Sequence, residues 1–291
     1  MSNISSNTSE TVSPTRTVGA VVLLAAFHVG VLLSGSFLLG LLQGLAESSP
    51  EISAPPTWLG GVLTVGLGLI VVGIAVPGWG EGWANTINRL KQPISLRDYR
   101  HGFFFALLAY FISALAAAVI TELPFMPGES GIEEAIEMFP QGLLIRIILL
   151  AVLVPIIEEI IYRGIILHRL LEVFSPRTAV LVSAIIFAII HLDPVQSIYT
   201  FLMGLLIGWI YIQSRRLKLV IWIHIAFNGY GTLLSELGLE EMGERFLTIY
   251  SVAFLAVILI FGSRSVRYFQ NRTKYDQNRS QYDRTRTQHE G

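Results

Sequence analysis

Two adjacent carboxylates, Glu158 and Glu159, lie inside the apolar stretch PIIEEIIYRGIIL. An ionisable side chain at membrane depth is costly unless it is paired, so such residues usually mark a functional site. Two further apolar segments carry polar groups: His191 ends the segment FAIIH, and His224 and Asn228 begin and end the segment HIAFN. A carboxylate that activates water, together with imidazole and amide groups that donate to an oxyanion, would hydrolyse an acyl bond.

Helical spacing distinguishes the two glutamates. Glu159 and Arg163 are four residues apart with the acid first, the order that favours an ion pair on one helix face. Glu158 is rotated by about 100° from its neighbour and has no cation within its own helix turn. We therefore interpret Glu158 as the working base and Glu159 as a support of the helix. A single structural ion-pair network of both acids with Arg163 remains the alternative.

The other polar groups complete a candidate site. His224 and Asn228, also four residues apart, point the same way from one helix. Glu158 and His191 lie at nearly equal distances, about 25 Å along each helix at 1.5 Å per residue, from the predicted hairpin between their helices. His191 would orient the water, and His224 and Asn228 would donate to the oxyanion. His28, without polar neighbours in its segment, is interpreted as a packed residue.

Composition sets the class of protein. The chain of 291 residues is 53% apolar and only 14% charged, against about 25% in soluble domains. Its mean hydropathy of +0.61 indicates a polytopic membrane protein. Because the chain has no cysteine, a disulfide framework, a thiol nucleophile and a thiolate metal site are excluded. The net charge of −1 gives no indication of a nucleic-acid partner.

The apolar segments predict an all-α fold of about eight transmembrane helices, since a span needs about 20 residues. The fifth predicted segment is short. Ser175 and Pro176 begin it, and Asp193 and Pro194 end it. One transmembrane domain, 18–262, is flanked by a disordered tail, 1–17, and a disordered basic tail, 263–291. The predicted spans are 18–45, 57–77, 102–121, 142–165, 178–191, 197–213, 219–235 and 246–262.

Charge placement predicts the orientation. If the chain has eight spans, 18 of its 20 Lys and Arg residues lie on the same side of the membrane as the N-terminus. The two exceptions are Arg146 and Arg245. The opposite loops are acidic, so the positive-inside rule predicts that both termini are cytoplasmic. The short N-terminal region without an evident transit peptide favours a prokaryotic cytoplasmic membrane.

The polar residues resemble the CAAX-protease and bacteriocin-processing (CPBP) family. Its pattern is Glu-Glu-x-x-x-Arg, then Phe-x-x-x-His, then His-x-x-x-Asn or Asp, and the resemblance covers about residues 140–235. The spacing Gly204-x-x-x-Gly208 also looks like a family motif and fits close helix packing. In this chain the pattern stands, in order, as Glu158, Glu159 and Arg163, then Phe187 and His191, then His224 and Asn228.

The resemblance implies an intramembrane glutamate-type endopeptidase that works without a cofactor. Its substrate would be a membrane-anchored or prenylated, CAAX-type, protein or peptide. By the same resemblance Glu158 is the general base assisted by His191. His224 and Asn228 form the oxyanion site.

Alternatives stay open. By resemblance, Glu159 and Arg163 either support the structure or contribute to catalysis. A metalloprotease is the second version, because one glutamate and two histidines can hold zinc, here Glu158, His191 and His224. A non-proteolytic immunity or adaptor protein on the same scaffold is another candidate, and a transporter with a proton-carrying carboxylate is a third.

Overall fold

Helices account for all the regular secondary structure of the described residues, which confirms the all-α class. The computed structural model describes residues 13–49, 53, 55–56, 58–79, 82–124, 139, 142–237, 252, 254–256 and 258–271. We number its helices α1 (Pro14–Ser48), α2 (Leu59–Gly78), α3 (Trp83–Lys91), α4 (Leu96–Thr121), α5 (143–173), α6 (Pro176–Ile189), α7 (Pro194–Ser214), α8 (Leu217–Glu236) and α9 (258–271).

Five of the described helices, α1, α2, α4, α7 and α8, are long and apolar enough to cross a membrane. The chain is therefore an integral membrane protein. The predicted count of eight spans is not reproduced among the described residues: α6 has only 14 residues, and α5 is divided by π-helical segments. Eight of the 17 residues of the predicted span 246–262 lie outside the described residues. The number of spans and the orientation of the termini stay predictions.

Both predicted tails are too long where the structure describes them. The tail predicted over 1–17 overlaps α1, which begins at Pro14 because proline suits the first turn of a helix. The tail predicted over 263–291 overlaps α9 through residue 271. There the Tyr268 hydroxyl donates to the Asp98 carboxylate at 2.9 Å, and Phe269 is buried. The aromatic residues among the basic ones thus pack against α4.

The helix that carries the two glutamates is unusual along its length. Ile147–Leu153 and Ile160–Leu167 of α5 are π-helical, and the α-helical stretch Val154–Glu159 lies between them. π-helical turns are rare and occur frequently at functional sites. Glu158 and Glu159 therefore lie on a short α-helical stretch between two wider π-helical segments. Each π-helical segment changes the direction in which the side chains beyond it point.

Glycines allow α7 to approach α6 closely. A Cβ atom at Gly204 would lie 3.2 Å from the Cβ of Ala184, and one at Gly208 would lie 3.0 Å from Val180. Small residues permit such contacts between helices in a membrane, where packing rather than the hydrophobic effect drives association. The predicted close packing of this glycine pair is confirmed.

Ion pairs hold α8 at both ends. Before its first residue, Arg216 donates to the Pro93 carbonyl at 2.9 Å and approaches the Asp98 carboxylate at 3.5 Å. At its last residue, Glu236 accepts a hydrogen bond from Arg146 of α5. These contacts fix the position of α8 along its axis, so the side chains in its middle have a defined depth.

We expect Gly208→Val to lower the midpoint of thermal unfolding in detergent. The new side chain would have to displace Val180, and overpacking of a close contact costs about 1–3 kcal/mol. Gly66→Val in α2 is the matched control, because a Cβ there meets nothing within 4 Å. Equal midpoints for the two variants would contradict the close α6–α7 contact.

Candidate active site

The hairpin of α5 and α6 brings two of the predicted site residues to one depth. The Tyr162 and Phe187 rings meet edge to face with centroids 5.0 Å apart, and the Arg163 guanidinium lies 4.5 Å from the Phe187 centroid. Glu158 precedes Tyr162 by four residues, and His191 follows Phe187 by four. One helix turn beyond the ring contact, these two side chains therefore lie at the same level.

A buried carboxylate joins α5 to α8. Oε1 of Glu159 accepts a hydrogen bond from Arg163 at 2.8 Å and another from Nδ1 of His224 at 2.8 Å. All three side chains are buried, at 0%, 1% and 2% exposure. The structure contains the predicted pair of Glu159 with Arg163, and it adds an imidazole from another helix.

The second carboxylate lies on the other side of the same imidazole. Oε2 of Glu158 is 3.6 Å from Nε2 of His224, and its side chain is 13% exposed. Sequence spacing left Glu158 without a partner in its own helix, and its partner comes instead from α8. His224 thus lies between the two carboxylates, and the Arg163 guanidinium compensates the charge of Glu159, as burial of a carboxylate requires.

His191 ends the α6 region with a defined tautomer. Its Nδ1 lies 2.8 Å from the carbonyl oxygen of Phe187. Because a carbonyl can only accept, Nδ1 carries the proton, and the neutral ring keeps a lone pair on Nε2. Leu192 follows with φ of 56°, in the left-handed region, and Asp193 caps α7. The break between the two helices thus presents Nε2 as an acceptor.

One aromatic ring contacts several of these groups. Phe187 is fully buried, with its ring centroid 5.1 Å from that of His191 and 6.0 Å from that of His224. The Arg163 guanidinium stacks over it. In the sequence this phenylalanine was only a position in a motif. Its ring forms an aromatic wall of the site, against which both imidazoles pack.

Asn228 makes a contact that its sequence position did not predict. Its Nδ2 donates to the carbonyl oxygen of Leu150 in α5 at 3.1 Å. In this π-helical turn the Val154 N–H bonds the Leu149 carbonyl, so the same pattern would pair Leu150 with residue 155. That residue is Pro155, which has no N–H. Asn228 therefore satisfies a carbonyl that the proline leaves free, and its second N–H is still available.

Metal-ligand geometry can be checked in the described part of the chain. There, no three His, Cys, Asp or Glu side chains are grouped so that they could hold a metal ion. Glu158, His191 and His224, the set named for the zinc alternative, do not form a ready three-ligand cluster in this arrangement.

Comparisons with known proteins cover the segment that contains these residues. Residues 140–230 match the family model described as type II CAAX prenyl endopeptidase Rce1-like. A Bacillus subtilis (strain 168) protein named "Putative membrane peptidase YdiL" is 30% identical over 133 residues, which are 46% of this chain and 53% of that protein. The part of the chain that carries the candidate site is therefore similar to this endopeptidase family.

The matched residues contain α6, α7, all of α5 and most of α8, and with them every predicted site residue. Helices α1 to α4 and α9 lie outside the matched residues. The chain spans about half the length of the curated relative that it matches. No solved structure matches the chain.

The two glutamates should respond differently to neutralisation. Glu159→Gln leaves the buried Arg163 without its counter-charge, and breaking a buried pair in this way costs about 3–5 kcal/mol. Glu158→Gln removes a partly exposed carboxylate whose nearest partner is 3.6 Å away. We expect a large loss of thermal stability in detergent for the first variant and a midpoint near wild type for the second. The reverse order would contradict the buried pair.

The stability contributed by the hydrogen bond from Asn228 to the Leu150 carbonyl should depend on Pro155. Asn228→Ala leaves a partly buried carbonyl unsatisfied, at a cost of about 1–3 kcal/mol. Pro155→Ala restores an N–H at the position that the π-helical pattern requires. In a double-mutant cycle measured by thermal unfolding, Asn228→Ala should destabilise the Pro155→Ala background less than the wild type. Additive losses would show that the amide has another structural partner.

Proposed function

We propose that this protein is an intramembrane endopeptidase that hydrolyses a peptide bond with water activated by Glu158. The observation that carries the proposal is the line of contacts from Glu158 through His224 to Glu159 and Arg163. It supplies a partly exposed carboxylate beside an oriented imidazole within apolar helices. The match of residues 140–230 to an endopeptidase family supports the same reaction class.

The first step forms a tetrahedral intermediate. Glu158 takes a proton from a water molecule while the water oxygen bonds to the carbonyl carbon of the substrate. Nε2 of His191 accepts the second hydrogen of that water and orients it. The carbonyl oxygen becomes an oxyanion, to which Nε2–H of His224 and the unused N–H of Asn228 donate.

The second step returns the proton. The carbon–nitrogen bond breaks, the oxyanion re-forms a carbonyl, and Glu158 gives its proton to the departing nitrogen. The products are a new carboxyl end and a new amino end, and Glu158 is again ionised. The same side chain is therefore base and then acid, so the reaction needs no cofactor.

Glu159 orients the imidazole in this mechanism. A carboxylate that accepts from one ring nitrogen fixes the tautomer and stabilises the positive ring, as in the Ser-His-Asp triad. Here it accepts from Nδ1 of His224 and directs Nε2 towards Glu158. Arg163 donates to the same oxygen of Glu159 and so holds the carboxylate in place. This assignment makes the second glutamate a positioning residue.

The substrate class follows from the surroundings. The site lies among apolar helices, so a membrane-associated protein or peptide is the partner that reaches it. The matched family is described as a prenyl endopeptidase of CAAX type, and we extend that to a prenylated substrate for this chain. We place the protein in a prokaryotic cytoplasmic membrane, because the similar protein named as a putative membrane peptidase comes from Bacillus subtilis.

We expect Glu158→Gln to lower the cleavage rate by about 10²–10⁴-fold, because the amide cannot accept the proton from water. The measurement uses purified protein in liposomes with a farnesylated peptide that carries a fluorophore and a quencher, and with its unprenylated twin. Membrane fractions of cells with wild-type or variant protein, compared by mass spectrometry, identify the natural substrate as the protein that accumulates uncleaved.

Controls separate the alternatives. His168→Gln, at a histidine outside the site, should cleave as the wild type does. Equal cleavage by wild type and Glu158→Gln would reject the mechanism, and no cleavage product in any membrane fraction would favour the adaptor or immunity function. Loss of activity with a chelator, restored by zinc, would replace the metal-free mechanism with the zinc version.

A further inference from the structure

Helix α1, outside the family segment, buries one imidazole against α5. His28 is the only ionisable residue between Arg16 and Glu47 in the sequence. It is 2% exposed, and its Nδ1 lies 2.8 Å from the hydroxyl oxygen of Tyr162. The histidine interpreted from the sequence as packed is thus hydrogen-bonded to the helix of the glutamates.

Tyr162 connects this contact to the site. It follows Glu158 by four residues, so both side chains lie on neighbouring positions of one face of α5. Its ring meets Phe187 edge to face, and Phe187 in turn contacts both site histidines. The polar contact therefore lies directly behind the aromatic wall of the site.

The tyrosine is fixed at two points. Ser183 of α6 donates to its backbone carbonyl at 3.3 Å, and the hydroxyl at the far end of the side chain is held by His28. The phenol ring is fully buried, so its hydroxyl would be unsatisfied if the imidazole were absent. The angle of the ring against Phe187 depends on this anchor.

We infer that His28 is a positioning residue of the proposed active site. It anchors the Tyr162 hydroxyl, which holds the ring of Tyr162 against Phe187 and so fixes the wall on which His191 and His224 rest. The inference rests on the proposed function only for its kinetic consequence. It gives α1 a role in the site although the family match does not include that helix.

The kinetic test uses cleavage of the farnesylated quenched peptide in liposomes. His28→Leu should lower kcat on the order of 10-fold with little change in KM, because small displacements of reacting groups slow the chemical step. His28→Asn should recover most of this loss, since its amide can reach the Tyr162 hydroxyl from the position of Nδ1. Tyr162→Phe should lower kcat similarly, and adding His28→Leu to it should have little further effect.

Leu24→Ala is the matched packing control, because Leu24 is a buried apolar residue of α1 one helix turn before His28. It should lower the thermal midpoint while kcat stays near wild type. If His28→Leu and Leu24→Ala lower kcat to the same extent, or if His28→Asn recovers nothing, His28 only fills space and the inference is wrong.

A second measurement needs no substrate. The full chain in detergent micelles, labelled with ¹⁵N-histidine, gives ring signals for its six histidines. Tyr162→Phe should shift the His28 signals, and His28→Leu should shift those of His191 and His224, whereas Leu24→Ala should leave them unchanged. Unmoved His191 and His224 signals in His28→Leu would overturn the inference. If the wild type cleaves neither peptide, the proposed function fails while this measurement still decides the role of His28.

Discussion

The shared carboxylate of Glu159 is the interaction on which the site depends. One oxygen accepts from Arg163 on its own helix and from His224 on α8, with all three side chains buried. A guanidinium buried alone would be strongly destabilising, so the pair must form whenever α5 packs in the core. Once formed, it determines which ring nitrogen of His224 faces the site. The same contacts of Glu159 therefore neutralise the buried guanidinium and orient the imidazole.

This interaction requires α5 and α8 to meet at one relative depth, and other contacts ensure that they do. Arg216 and Glu236 hold the two ends of α8, and Asn228 ties its middle to the carbonyl of Leu150. The last contact exists because Pro155 removes a backbone donor from a π-helical turn. In the membrane interior, no water is present to hydrogen-bond a carbonyl that lacks a backbone donor, so a side chain from a neighbouring helix donates to it. The missing backbone hydrogen bond in α5 is thereby replaced by a contact with α8.

The sequence predicts the all-helical class, the pairing of Glu159 with Arg163, and the common depth of Glu158 and His191, because these depend on hydropathy and on spacing within one helix or one hairpin. It does not predict that His224 lies between the glutamates, because that contact joins residues far apart in the chain. The π-helical turns of α5 also have no sequence signature beyond the proline. For the same reason, the sequence did not indicate that His28 would contact Tyr162.

The position of His224 also changes how the two glutamates are related. Spacing along α5 assigns them to different faces and suggests separate duties, one chemical and one structural. The imidazole connects them, since any proton or charge that Glu158 gains is felt by a ring whose other nitrogen is held by Glu159. Structural support and the proposed chemistry are then not separable, because the ion pair that stabilises the helix also fixes the ring that faces Glu158. The two adjacent carboxylates thus share one imidazole, and Glu159 has in addition the Arg163 guanidinium as its counter-charge.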